Sequence, residues 1–485
     1  MKNIYKYIAL AICGIGMATS CDFLEEKSKG QIFDSYLKNQ SGLEGALTGA
    51  YRGLNAPWSV GLCNGTYHQL TAGGDDMYLP TTDASGTEID RCGVTNGNGS
   101  VGSTWNGLYK VVLNANKVIA NYEECTGDQN VIKVIAGEAY FLRAYANFIL
   151  CQLWGEMPLV KSSVYTAEEA SMEPSKPEEV YALIESDLEK AVELLGDERR
   201  NGEVGRPNKL VARALRAEVY LVEAGWPLKK QGYYAKAADE AKAVLDQSQA
   251  RGFELETDFA NLFKNIDKGD NITKEDLFVI PASVSDICVF YGLWSEPGEI
   301  GGWNILFAEV QFYRDFPAGR RKDLTFYTET PDGRSWETWE KKHPSYRKLM
   351  MYPQNDGFSS CAASIPAHML RLSQTALTYA EAAARAGKPT DEAYRWVNKI
   401  RERAGLATYS GLSNDAFIKA VVDERKWELA GENVRWYDVL RLELEDEVFA
   451  GKDNAYDPGS LHPAGDNDYT FPIPATETLV NPNLK

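Results

Sequence analysis

Histidine is scarce in this chain: four occur, His68, His343, His368 and His462, and none stands in an H-E-x-x-H or catalytic-triad spacing. That scatter argues against a metallohydrolase or an activated nucleophile, since both need an imidazole at a fixed offset from a second ligand or nucleophile. Cysteine is thin as well. The eight present form no C-x-x-C pair or Cys/His cluster, so nothing suggests zinc and no cofactor is expected. A disulfide lattice serves domains too small to bury a core, and 485 residues make that scaffold unnecessary. A bridge from Cys63 to Cys92 across one loop-rich region stays open, whereas Cys151 falls on an apolar helical face as a buried thiol. Positive charge is in deficit, with 51 Lys and Arg against 69 Asp and Glu and a formal net charge of −18. Nucleic acid and other polyanions are thereby disfavoured as partners, and neutral ligands favoured.

The only early hydrophobic run is short. Lys2 and Lys6 precede an apolar stretch from Tyr7 to Met17, and Ala18, Thr19 and Ser20 lead directly into Cys21. The run is too short to span a bilayer and has the architecture of a signal peptide, residues 1–20. Small residues ending at a cysteine suit a lipoprotein signal peptidase. Cys21 is then expected to become the acylated first residue, with polar residues 21–40 as a tether and a lipid bilayer as partner. Ordinary secretion is the alternative.

What remains, residues 41–485, reads as mostly α. Val180, Ile184, Leu188, Ala191 and Leu195 fall on one stripe at the 3.6-residue period, so residues 177–195 form a helix. Ser175 is its expected cap, with Glu178 completing a capping box and Pro177 in the first turn. Further helices are predicted at about 41–54, 104–124, 130–154, 208–224, 233–248, 371–386, 389–404, 413–430 and 434–442. The 130–154 segment is apolar nearly all round and belongs in the middle of a bundle. Alanines at close-packing positions (Ala214, Ala217, Ala237, Ala241, Ala380, Ala383, Ala393) face large partners such as Tyr220, Tyr379 and Trp396. That pattern predicts tetratricopeptide-like helical repeats in two parts, about 41–250 and 371–442.

Two stretches, 55–103 and 250–370, read as irregular, and long irregular segments in a compact protein are usually functional. They are expected to form a loop-rich, ligand-binding lobe. Sugar binding needs flat apolar faces for the C–H side of a pyranose and planar polar groups for adjacent hydroxyls. The first stretch offers Asp75, Asp76, Met77, Tyr78 and Arg91, the second Asp286, Tyr291, Trp294, Trp303 and Asn304. Asp76, Tyr78, Arg91, Tyr291, Trp294, Trp303 and Asn304 are the candidate ligand contacts. Glycines 292, 298, 301 and 302 flank the two tryptophans and favour their exposure. Trp105 lies on a helix face with Leu108, Val112 and Ala115 and is set aside as core.

Several stretches, taken in order, resemble the SusD/RagB family of surface nutrient-binding lipoproteins. They are Cys21-Asp22-Phe23-Leu24-Glu25; Ala136 to Tyr145 running on to Leu153-Trp154-Gly155-Glu156-Met157-Pro158; and Gly205-Arg206-Pro207-Asn208-Lys209. Nearer the C-terminus come Val397-Asn398-Lys399-Ile400-Arg401, Glu424-Arg425, Glu428-Leu429-Ala430, Arg435-Trp436-Tyr437-Asp438 with Arg441, and Phe471-Pro472-Ile473-Pro474. The resemblance implies a tetratricopeptide-containing α fold (SusD-like), lipidation at the outer membrane on the cell surface, and partnership with a SusC-like TonB-dependent transporter. Gly431 and Asn433 depart from the family's turn, although Asn tolerates a left-handed cap.

Glu424, Arg425, Glu428, Glu432, Arg435, Asp438 and Arg441 interleave acid with base. An arginine neighbour depresses a carboxylate pKa where an acid catalyst needs it raised, so these residues are expected to make salt-bridged helix faces and not a catalytic pair. No catalytic residue is assigned, and an enzyme is not expected. The leading expectation is capture of an oligosaccharide for a transporter. A peptide-capturing family member, a protein-interaction scaffold and a secreted glycosidase are the alternatives.

Overall fold

The computed structural model describes residues 34–57, 70–80, 84–164, 166, 169–263, 272–281, 291–350, 366–387, 389–453, 455–457 and 470–484. Residues 1–33, with Cys21 and most of the tether, lie outside these, as do Cys63, His68, Asp286 and His462. Among the described residues ten helices have eight or more residues. They are α1 (Gln40–Gly53), α2 (Gly99–Asn121), α3 (Gln129–Trp154), α4 (Pro177–Leu194), α5 (Lys209–Ala224), α6 (Tyr233–Gln247), α7 (Leu372–Ala386), α8 (Asp391–Arg403), α9 (Asn414–Glu428) and α10 (Arg435–Leu442). Short polar side chains start most of them: Asn39, Asn98, Asp128, Asn208, Thr390 and Ser413 each accept a first-turn amide, satisfying donors that a helix leaves unpaired.

Ser175 does not cap α4. Its backbone pairs with Met157 in both directions, at 2.8 and 3.2 Å, which holds it extended and leaves Lys176 at the cap position without a side-chain bond. Region 55–103 is also less irregular than expected, for Ala84–Asp90 is helical and α2 begins at Gly99.

Each helix from α1 to α8 packs on the next in chain order. α3 lies at the centre, touching α1, α2, α4 and α5, with Ile135, Phe141 and Leu142 fully buried. It is the one described helix long and apolar enough to cross a membrane, but the bundle covers it. Small residues set the spacing. A methyl group on Gly53 would come within 3.0 Å of the Gly107 carbonyl oxygen, and one on Gly107 within 3.0 Å of the Gly53 oxygen, so α1 and α2 cross in contact. Ala214, Ala217, Ala237, Ala241 and Ala380 are buried and do the same for α5, α6 and α7.

The α6–α7 contact bridges a long excursion, since the chain leaves after Gln247 and returns at Leu372. Three two-stranded ladders organise the excursion: β1 (Met77–Tyr78) with β3 (Phe307–Ala308), β2 (Asp276–Ile280) with β6 (Ala367–Arg371), and β4 (Phe326–Tyr327) with β5 (Ser345–Tyr346), all antiparallel. β2 and β6 form its neck. Phe278 of that neck stands edge-on to Phe141 and Tyr145 of α3, at 4.9 and 5.5 Å between ring centres. Beyond it the lobe has a small core of its own around Phe307, Val310, Tyr327, Trp336, Trp339 and Met350.

The interleaved acids and bases are salt-bridged, as expected, but mostly between elements and not along one helix face. They are buried and join different elements. Arg371, at the end of β6 and 1% exposed, donates to Glu275 (2.6 Å), Ser373 (2.7 Å), Glu428 (3.2 Å) and both oxygens of Glu432 (2.7 and 2.9 Å). Arg403 of α8 reaches Glu275 and Glu428, Arg321 of the lobe reaches Glu424 and Glu428, and Lys348 reaches Glu432. A second group couples Arg425 to Glu218, Asp438 and Thr378, and Arg441 to Glu381 and Asp438. The apolar stripes of α9 and α10 face the bundle alongside these charges, which explains why the charges are interior.

Removing one partner from such a network strands the others without solvent. Arg371→Ala is therefore expected to cost about 3–5 kcal/mol in denaturant unfolding. Lys229→Ala, which breaks an exposed pair with Glu443, should cost under about 1 kcal/mol.

Candidate ligand-binding site

β1 and β3 bring together the two loop regions that the sequence presents more than two hundred residues apart. Met77 lies opposite Ala308 and Tyr78 opposite Phe307. On this ladder the Tyr78 ring, half-buried, stacks on His343 with ring centres 3.8 Å apart and planes 8° from parallel. His343 is 1% exposed, and its Nδ1 sits 2.6 Å from the Lys341 carbonyl oxygen, which requires that nitrogen to carry the proton. Burial lowers its pKa to about 4, so the ring is neutral at pH 7. Tyr456 meets His343 edge-on at 6.1 Å and lies under the Arg314 guanidinium at 5.0 Å. Arg91, half-buried, follows Asp90 at the end of helix 84–90 and its charge acts on the Tyr78 hydroxyl.

Trp303 and Trp294 part company. Trp303 is 42% exposed, whereas Trp294 is 4% exposed and belongs to the main core, contrary to the expectation from its glycine flanks. The glycines report a tight turn, not exposure. The Trp294 carbonyl accepts from Ile305 and Leu306 (3.1 and 2.9 Å), and Leu293 accepts from Trp303 (2.9 Å), so the chain doubles back on itself. At Gly302 an added methyl would lie 2.0 Å from the Glu296 carbonyl oxygen; only glycine fits there. Asn304 holds the turn from inside, with φ at 55°, its Oδ1 accepting from the Gly298 amide at 2.7 Å and its amide reaching Glu340 at 3.4 Å. Tyr291 opens the short helix Tyr291–Ser295.

Asp76 is fully buried and faces the α9–α10 turn, where its Oδ2 accepts from the Gly431 amide at 3.0 Å. Asp75 pairs with Arg435, one bond being 2.9 Å. Beneath Tyr78 lies a set of buried charges: Asp90, which accepts from the Leu79 amide at 3.1 Å, Glu309, Asp457 and Lys452, the last two 3.4 Å apart. Burial raises Asp76, helped by the charge of Asp75, to about 7. Burial raises Glu309 to about 7 as well, against the pull of Lys452.

Behind this ladder, bounded by Asp75 before β1 and Glu309 after β3, a cleft of about 610 Å³ opens between α9 and the short helices Val310–Asp315 and Glu445–Ala450. None of the seven candidate contacts named from the sequence lines it. Sequence inspection also missed His343 and Tyr456 as neighbours of Tyr78. Their separation along the chain leaves no local signal. Among the described residues no group of three His, Cys, Asp or Glu is placed to hold a metal ion.

Residues 22–221 match the family described as starch-binding and associating with the outer membrane, and residues 303–485 match the SusD family. The SusD-like protein P2 of Formosa agariphila is 30% identical over an alignment covering all of this chain and 98% of that protein. Among solved structures, a SusD homologue from Bacteroides thetaiotaomicron superposes with a TM-score of 0.80 at 22% identity, covering 93% of this chain and 97% of that one. A laminarin-binding SusD-like protein gives 0.75 at 21%, covering 92% and 98%. This chain belongs to the SusD/RagB family and has its mostly α fold.

Trp294→Ala is expected to remove about 3–5 kcal/mol by leaving a core cavity, while Trp303→Ala should unfold at the parent temperature; thermal melts followed by circular dichroism check both. The acids set a pH profile with two limbs. Burial opposes it, but Arg371 and Lys348 hold Glu432 down at about 2, and Arg441 and Arg385 do so for Glu381; their stabilisation is present above the ordinary value of 4.5 and lost as pH falls toward 2. For Asp76 and Glu309 the sign reverses. Their stabilisation is full below about 4 and lost as pH rises through about 7. Melting temperature should peak near pH 4–5, and Glu309→Gln should flatten the limb between pH 5 and 8.

Proposed function

We propose that this protein is a cell-surface, glycan-binding lipoprotein that captures oligosaccharide at the β1–β3 rim and passes it to a TonB-dependent outer-membrane transporter. One observation carries the proposal: Trp303 is 42% exposed on a turn fixed by Gly302, Asn304 and the buried Trp294. Spending a glycine, a left-handed asparagine and a buried tryptophan to present one indole face is the construction a pyranose platform needs. Trp303, Tyr78 and Arg91 are the contacts that keep surface for a ligand. Asp76, Trp294 and Asn304 act from beneath, by fixing the turn and the ladder. The laminarin-binding member of the fold supports a sugar ligand, and the acidity of the chain favours a neutral one.

Binding without catalysis is supported by the state of the carboxylates. The acids held low are locked to arginines, and Asp76, the raised acid beside β1, is 0% exposed and turned inward to the Gly431 amide. A glycosidase instead needs a raised acid and a second carboxylate flanking an open groove. Acylation of Cys21 supplies the membrane attachment in this proposal, since chains buried at about 0.8 kcal/mol per methylene outweigh any surface helix.

Trp303→Ala is expected to weaken oligosaccharide binding by about 1–3 kcal/mol with an unchanged melt, measured by titration calorimetry and by retention on carbohydrate affinity gels. Binding equal to the parent's would remove the platform. A parent protein that no gel retains would point to peptide capture or a scaffold. Cys21→Ala should move the protein from the membrane to the soluble fraction, and a barrel transporter should co-purify with the tagged parent from mildly solubilised membranes.

A further inference from the structure

The 610 Å³ cleft stands apart from the aromatic rim, and its charges are not balanced alike. Five cations line it, and each is engaged within the chain. Arg385 bonds Glu381 (2.8 Å), Lys419 pairs with Asp423 (3.4 Å), Arg435 with Asp75 (2.9 Å) and Lys452 with Asp457 (3.4 Å). Lys426 lies 3.9 Å from Asp423 with its ammonium over the Trp427 ring at 4.0 Å. The acids differ. Asp315, Asp415 and Glu447 line the cleft, are exposed, and pair with no lysine or arginine among the described residues. In the wall Glu309 is 1% exposed, and its Oε1 accepts no hydrogen bond, an unmet acceptor that costs free energy as it stands. Half-buried Ile418, Val422, Leu442 and Leu444 supply an apolar floor.

We propose that this cleft receives an internal, lysine- or arginine-bearing apolar segment of a partner protein. The floor takes the apolar side chains, the three rim carboxylates take the cations, and Glu309 gains a donor. The absence of an unpaired cation among the described residues of the cleft decides the kind of occupant. A free peptide brings a terminal carboxylate that would meet only acids and engaged bases, whereas a segment inside a longer chain brings none. A sugar would find little here to stack on, since Trp427 and Phe312 are 9% and 4% exposed. Complementary charge of this kind fixes which partner docks and how fast it arrives.

The test uses the full-length protein and fluorescein-labelled short peptides, blocked at both ends, in which leucine alternates with lysine or with glutamate. Fluorescence anisotropy should show binding of the lysine peptide, weakening with salt, and at least about tenfold weaker binding of the glutamate peptide. Asp415→Lys with Glu447→Lys, and separately Val422→Glu, should each weaken the lysine peptide about tenfold. Their melts and oligosaccharide titrations should match the parent. Equal binding of the two peptides, or parent-like binding by the charge-reversed protein, overturns the proposal. So does tighter binding of the unblocked peptide, which would make free peptides the ligand, or displacement by oligosaccharide, which would make the cleft part of the glycan site. Because glycan binding is read separately, its loss or presence does not decide the outcome.

Discussion

The guanidinium of Arg371 is where the helical stack and the lobe are made one body. It closes β6, and through Glu275, Glu428 and Glu432 it reaches the strand that leaves for the lobe, the end of α9 and the turn into α10. Arg403 and Arg321 approach Glu428 from α8 and from the lobe. A buried charge network contributes little net stability over an apolar core. Its effect here is geometric. Arginines from β6, α8 and the lobe converge on the Glu428 carboxylate, which ties the neck to the stack. Asp76 extends this order to the β1–β3 ladder, since the residue next to β1 bonds Gly431 in the same α9–α10 turn.

Much of the fold was legible because it rests on short-range rules. Nine of the ten long helices begin within two residues of the positions that periodicity and caps imply, and Ala380 and Ala393 bury as packing surfaces, with Ala383 half-buried. The exceptions share a cause. Ser175 has cap chemistry, but a strand-like bridge to Met157 claims its backbone. α2 starts early because Asn98, with its amide on Ser85 and Glu88, caps it from a helix that the composition of 55–103 conceals. In both cases a tertiary contact outcompeted a local preference.

The candidate site was legible in parts. Trp303 is exposed and Tyr78 half-buried, yet Trp294 has the same flanks as Trp303 and the opposite fate, because which side of a doubled-back turn faces the core depends on distant chain. His343 carried no motif and still became the stacking partner of Tyr78, through a ladder joining residues 77–78 to 307–308. The acidic and basic residues near the C-terminus were legible as structural from their pairing, though not as interior. Spacing reveals that charges alternate; it does not reveal how many elements converge on them.

The excursion between α6 and α7 leaves and re-enters the stack at one ladder, with β2 beside β6. For the helical scaffold the lobe is therefore an inserted loop whose ends are already closed. The entropy of closing such a loop grows only with the logarithm of its length, about 0.6 kcal/mol for each doubling. Residues can be added or removed beyond the neck at small thermodynamic cost while α6 stays seated on α7. The surface of the lobe is thus open to remodelling by insertion and deletion, with the frame that carries it untouched.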